Sequence, residues 1–142
     1  MVRNLKYVKE SIENYFQNHM FINTVKFGDT DNLNTYDDLN YPLMNFEYLD
    51  SQFKMGTKNK ARFQFAIMDL SDDLNEFDVI DSMNEIANDY LKFLENDVEI
   101  TIDDNVSLQP FSDEFGDRCS GVTFTISFYI HRNNCDDILP LK

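Results

Sequence analysis

His19 and His131 are the two side chains whose unperturbed pKa lies near neutrality, so acid/base chemistry or metal ligation would start from them. Neither stands in a recognisable motif. Cys119 and Cys135 are the only cysteines, and with His131 they would supply three of the four ligands of a tetrahedral zinc site. They lack the short paired spacing that presents two ligands from one turn, and no fourth ligand accompanies them. The sequence therefore predicts two reduced thiols and no metal. Arg118 would favour a thiolate at Cys119, but the flanking Cys119-Ser120-Gly121 is no nucleophile motif and no base accompanies it. Paired acids recur at Asp37-Asp38, Asp72-Asp73, Asp103-Asp104 and Asp136-Asp137. With 26 acidic residues such pairs arise by chance, and a solvated surface rather than a glycosidase dyad is their default. Asp29-x-Asp31 opens like a calcium loop, yet Leu33, Asn34 and Asn40 fill the positions that need an oxygen ligand, a sharp-turn glycine and a bidentate glutamate. Four glycines in all leave no material for a phosphate-cradling loop. The chain reads as a non-enzyme without a cofactor.

What remains is charge. Against those 26 acids stand 12 cations, a formal charge of −14, and four of the cations gather in one island: Lys54, Lys58, Lys60 and Arg62. On a hairpin, lysines protect exposed edges from aggregation. The same island would also suit an acidic surface on a neighbouring copy, with Asp37 and Asp38 in the loop 29–40, or Asp72 at the start of a helix, as its counterparts. Tight sequence-independent nucleic-acid binding needs Lys and Arg on phosphates, which this balance opposes, and an anionic membrane surface is disfavoured equally. No apolar run approaches a membrane span, and MVRNLKYVKE has no apolar core of a signal peptide, so no membrane association and synthesis in the cytosol are expected.

The elements that must position these residues follow from periodicity. At 42% apolar and 14% aromatic residues, 142 residues suffice for one core, and no repeat or linker divides residues 1–142, so one domain is expected. Leu5, Val8, Ile12, Tyr15 and Phe16 recur at helical steps over about residues 2–20. Val25 and Phe27 mark a short strand. Residues 42–53 and 63–67 form a long hairpin, with Gly56 supplying a positive φ at its tip. Ser71, Asp72 and Asp73 are candidate N-caps, with Glu76 completing a capping box, for a helix from about Asp73 to Glu95 that carries Phe77, Ile80, Met83, Ala87, Tyr90, Leu91 and Leu94. Val98, Ile100 and Ile102 follow as a strand, Asp103-Asp104-Asn105 as a turn, and Val106 and Leu108 resume alternation. Val122, Phe124, Ile126, Phe128 and Ile130 line one face of the last strand. The order α-β-β-β-α-β-β predicts an α+β fold, an antiparallel or mixed sheet of about five strands with two helices on one face.

The run PFSDEFGDRCSGVTFTISFYI, Pro110 to Ile130, resembles bacteriophage tail-completion or tail-terminator proteins and related neck rings, in which a Pro-Phe-x-x-x-Phe turn leads through a glycine into an alternating strand. The likeness extends to the N-terminal amphipathic helix, the hairpin, the long helix carrying IANDYLKFLEN, and the polar ending NNCDDILPLK. It is most similar to the versions found in crAss-like and other Bacteroidetes phages. The resemblance implies a structural virion protein that forms a hexameric or dodecameric ring between head connector and tail. Its partners would be copies of itself and neighbouring connector or tail proteins, with packaged DNA free to pass through the ring. It places the chain in the virion, and in the host cytoplasm during assembly. A different class fits the charge alone: a small acidic inhibitor or DNA mimic, monomeric or dimeric, with acids in a phosphate-like row that binds a host protein. A closed head-to-tail oligomer separates the first reading from the second.

Overall fold

An apolar row as long as Val122 to Ile130 has to be covered, and the architecture is organised around covering it. A computed structural model describes residues 4–29, 40–53, 58–114 and 118–131. Its elements are α1 (Leu5–Gln17), β1 (Thr24–Phe27), β2 (Leu43–Phe53), β3 (Lys58–Leu70), α2 (Glu76–Glu95), β4 (Thr101–Ile102), β5 (Gln109–Glu114) and β6 (Arg118–His131). The fold is α+β, with one mixed sheet of six strands in the order β1-β2-β3-β6-β4, and β5 also pairing with β6. β1 lies parallel to β2 and the other pairings are antiparallel. β6 is therefore central, flanked by β3 on one side and by β4 and β5 on the other.

Alternation along the strands sends Phe63, Phe65 and Ile67 of β3 and Phe124, Ile126 and Phe128 of β6 to the same face, where all are buried. Both helices lie on that face. α1 contributes Val8, Ile12 and Phe16, and α2 contributes Met83, Ile86, Ala87, Tyr90 and Leu94. Phe16 and Tyr90 meet at 4.7 Å between ring centroids, and both lean on Phe65, at 6.4 and 5.6 Å. The other face is apolar at one end only, where Leu43, Ala66, Met68 and Cys119 are buried with Tyr41 and Phe111 packed against them. Cys119 thus behaves as a small hydrophobe in a packed layer rather than as an accessible thiolate.

The sheet has one strand more than the sequence predicts, and the extra strand is β5. Pro110 reads as a punctuation mark, but proline is tolerated where its missing N–H faces no partner. β5 has a single neighbour, β6, with Pro110 opposite Val122. Within the resembling run, what reads as a Pro-Phe turn is therefore a strand, paired back onto the one that follows. β4 is shorter than expected, because Asp97 accepts a hydrogen bond from the backbone N–H of Glu99 at 2.8 Å and turns the chain, leaving Val98 96% exposed. β2 carries a bulge between Tyr48 and Asp50, which inserts Leu49 and keeps Tyr48 and Phe63 paired on the helix side.

Both helices start later than periodicity suggests. Asn4 caps α1 by accepting from the backbone N–H of Tyr7 at 2.8 Å, and Asn18 closes its other end by donating to the Asn14 carbonyl at 2.7 Å. The capping box expected at Asp73 and Glu76 does not form. Asp72 instead holds a turn, accepting from the N–H groups of Leu74 and Asn75, each at 2.9 Å, so the helix opens one turn later with Asn75 at its N-cap. Gly121 has a steric reason to be glycine: a Cβ there would overlap the Ile67 carbonyl of the neighbouring strand, backbone that cannot step aside. Gly56, expected at the hairpin tip, lies outside the described residues.

Two substitutions test this packing. Phe124→Ala should cost about 3–5 kcal/mol in urea unfolding, as a buried aromatic truncated inside a filled core; an unchanged midpoint would contradict the placement. Tyr90 is fully buried with its hydroxyl lacking a hydrogen-bond partner, and burial pushes its pKa well up. Tyr90→Phe should therefore keep the fold and raise stability by about 1 kcal/mol.

Candidate functional site

Two of the four cations that the sequence offers as an interface, Lys60 and Arg62, are held by acids of the same chain. Lys60 and Arg62 alternate onto the polar half of the helix-free face. Arg62 donates from Nε to Asp50 Oδ1 at 2.8 Å and from Nη2 to Asp50 Oδ2 at 2.6 Å, a bidentate pair across β2 and β3. Lys60 Nζ donates to Asp103 Oδ2 at 3.3 Å, and the Tyr129 hydroxyl donates to Asp103 Oδ1. The backbone N–H of Asp103 reaches the Ser127 carbonyl at 3.2 Å, so these residues tie the segment after β4 to β6 and β3. The Lys60 ammonium also lies 5.3 Å from the centre of the Tyr129 ring.

The electrostatic consequences are consistent with that geometry. The Tyr129 hydrogen bond, aided by Lys60, holds the Asp103 carboxyl below the usual carboxylate range. The Arg62 hydrogen bond does the same for Asp50. Tyr129 and Asp103 together raise the Lys60 ammonium above its ordinary value.

Elsewhere the predicted site residues separate. Asp72 holds the turn before α2, with its carboxylate committed to backbone N–H groups. Its neighbour Asp73, with Glu76, receives Arg118 from β6. Asp37, Asp38 and Lys54 lie outside the described residues, and Lys58 is described only as the first residue of β3, opposite His131. His19 sits between Tyr15 and Phe21 with Nε2 3.8 Å from Asp89. Cys135 is outside the described residues. Among the described residues no group of three or more His, Cys, Asp or Glu is placed to hold a metal ion. No helix among them is long and apolar enough to cross a membrane.

Three surface features escape the sequence reading. The first turn of α2 and the residues before it present Leu74, 95% exposed, and Phe77, 78% exposed. Phe77 belongs to the apolar stripe by spacing, but the stripe reaches the core only from Val79 and Ile80 onward. A row of aromatic rings crosses from the end of α1 to α2: Phe21, His19, Tyr15 and Phe93, with successive ring centroids 5.9, 5.9 and 4.8 Å apart; its ends, Phe21 and Phe93, are exposed, while Tyr15 packs on the core and the His19 side chain is largely buried. On the other flank of α2 a groove of about 730 Å³ opens between its last turns and the segment 100–106. The 3.6-residue period hints at the row, since Tyr15, His19 and the α1 stripe share a flank. Nothing in the sequence announces the groove, whose walls come from separate segments.

No protein-family model and no curated protein matches the chain.

The ion pairs yield a signed pH prediction. Asp50 and Asp103 have folded pKa values below their unfolded ones, so their contribution is fully present above about pH 4 and is lost as pH falls through the folded values. Wild type should melt higher than Asp103→Asn at pH 7, and the gap should narrow as pH falls below the unfolded carboxylate value of about 4. A gap that stays constant through that fall would show that the carboxylate charge is not its source.

Proposed function

We propose that the chain is a structural subunit of a homo-oligomeric ring, hexameric or dodecameric, in the neck or tail of a bacteriophage, joining the head connector to the tail. The observation that carries this reading is the pair of unlike apolar surfaces on α2. Leu74 and Phe77 project at its N-terminal end, and the Phe21–Phe93 row lies near its C-terminal end, about 24 Å away for the 16 residues from Phe77 to Phe93 at ~1.5 Å per residue. Apolar side chains left in water are stabilised when a contact covers them. Two different patches at separate places fit a heterologous, head-to-tail contact, which closes into a ring when the rotation permits. An isologous dimer would need only one patch. The resemblance of the run from Pro110 to Ile130 to tail-completion proteins is the second ground for this reading, with the difference that its Pro-Phe segment is the strand β5 rather than a turn.

Leu74 and Phe77 make little contact with their own core, so replacing both by Glu leaves the monomer folded. Native mass spectrometry of the full chain should give one closed species, six or twelve subunits, and the Leu74→Glu/Phe77→Glu variant should give monomer with an unchanged melting temperature. A wild type that stays monomeric at every concentration, while binding host protein through its acids, would favour the inhibitor reading instead.

A further inference from the structure

The groove on the far flank of α2 combines two chemistries that select one kind of occupant. Its floor is apolar: Leu91 and Leu94 from α2, then Ile100, Ile102 and Val106 from the returning segment. Its rim is acidic, with Glu95, Asp97, Asp103 and Asp104. Asp103 is committed to Lys60 and Tyr129, whereas no cation among the described residues pairs with Glu95, Asp97 or Asp104. The groove also sits at the C-terminal end of α2, the negative end of the helix dipole, where a cation is favoured.

We propose that this groove is a docking site for a cationic, apolar-studded peptide segment of a second protein, whose aliphatic side chains enter the floor while Lys or Arg heads meet the rim. A second copy of this chain is the poorer occupant. Each copy carries a formal charge of −14, and most of the cations among the described residues, Lys6, Lys9, Lys60, Arg62 and Arg118, are ion-paired at home, with Lys92 the cation that α2 itself brings to its last turn. A neutral apolar segment would leave the rim carboxylates partly desolvated without a partner, which opposes binding. A purely basic segment would leave the floor wet. The inference does not rest on ring assembly, because the groove and the aromatic row lie on opposite flanks of α2.

The test uses the full-length protein and two fluorescent peptides of equal charge, one alternating Leu and Lys, the other alternating Ser and Lys. Anisotropy titrations run in wild type, in Glu95→Gln/Asp104→Asn, and in Thr101→Lys, which brings a cation to the rim from the other wall. All three substituted positions are exposed, and circular dichroism checks that each variant folds. The Leu-Lys peptide should bind wild type at least about tenfold more tightly than the Ser-Lys peptide, and either variant should weaken it by about tenfold. Raising salt from about 50 to about 300 mM should weaken it further. Equal binding of the two peptides would reduce the effect to general polyanion attraction and overturn the proposal. So would undiminished binding to either folded variant, or self-association of wild type that both variants abolish, which would make a second copy the occupant.

Discussion

Phe65 is the contact on which the rest of the structure depends. Its ring stacks on Phe124 of the neighbouring strand at 4.9 Å and within 4° of parallel, and it touches Phe46 in β2, Phe16 in α1 and Tyr90 in α2. One side chain thus joins three strands and both helices. Aromatic pairs gain beyond the area they bury when their geometry is offset or edge-on, and the parallel Phe65–Phe124 pair, with centroids 4.9 Å apart, is offset in this way. With 13 Phe and 7 Tyr but no Trp, the chain draws its buried rings from side chains of nearly one size.

The packed core involves only one stripe of α2. The helix is anchored by Met83, Ile86, Ala87, Tyr90 and Leu94 along one stripe, so its first turn and its outer flank can hold apolar residues that contribute little to folding. That stripe fixes the backbone positions of Phe77 at one end and of Phe93, beside Tyr15, at the other. Preorganised patches of this kind lower the entropy lost on association. Charge works in the other direction. A formal −14 opposes assembly of copies, and the cations nearest the sheet face are paired with Asp50 and Asp103, where they staple strands. Apolar contact, with charge setting only what is excluded, is therefore the driving force for self-assembly in this account.

Periodicity was enough to read α1, the β2–β3 hairpin, α2 and the central β6, because each carries an apolar row at a single period over several turns or pleats. It failed where local chemistry overrode pattern. Pro110 concealed β5, since a proline argues against a strand unless the strand is known to lie at an edge. Val98 looked like the start of a strand, but Asp97 bends the backbone there. The site was less legible still. Lys60 and Asp103 are 43 residues apart in sequence, and the groove walls come from α2 and the segment after it, so neither constellation has a spacing to find. Exposure of Phe77 was hidden by its correct helical phase, because phase gives direction and not whether anything lies opposite.

The central claim is that unlike ends of α2 meet between copies, and site-directed cross-linking addresses it directly. In a Cys135→Ser background, with Cys119 buried, Phe77→Cys and Phe93→Cys are made as separate variants, mixed, and oxidised. Head-to-tail contact predicts a covalent dimer that contains one chain of each variant and forms only in the mixture. A dimer from Phe77→Cys alone would mean that like ends meet, an isologous pairing that contradicts the ring.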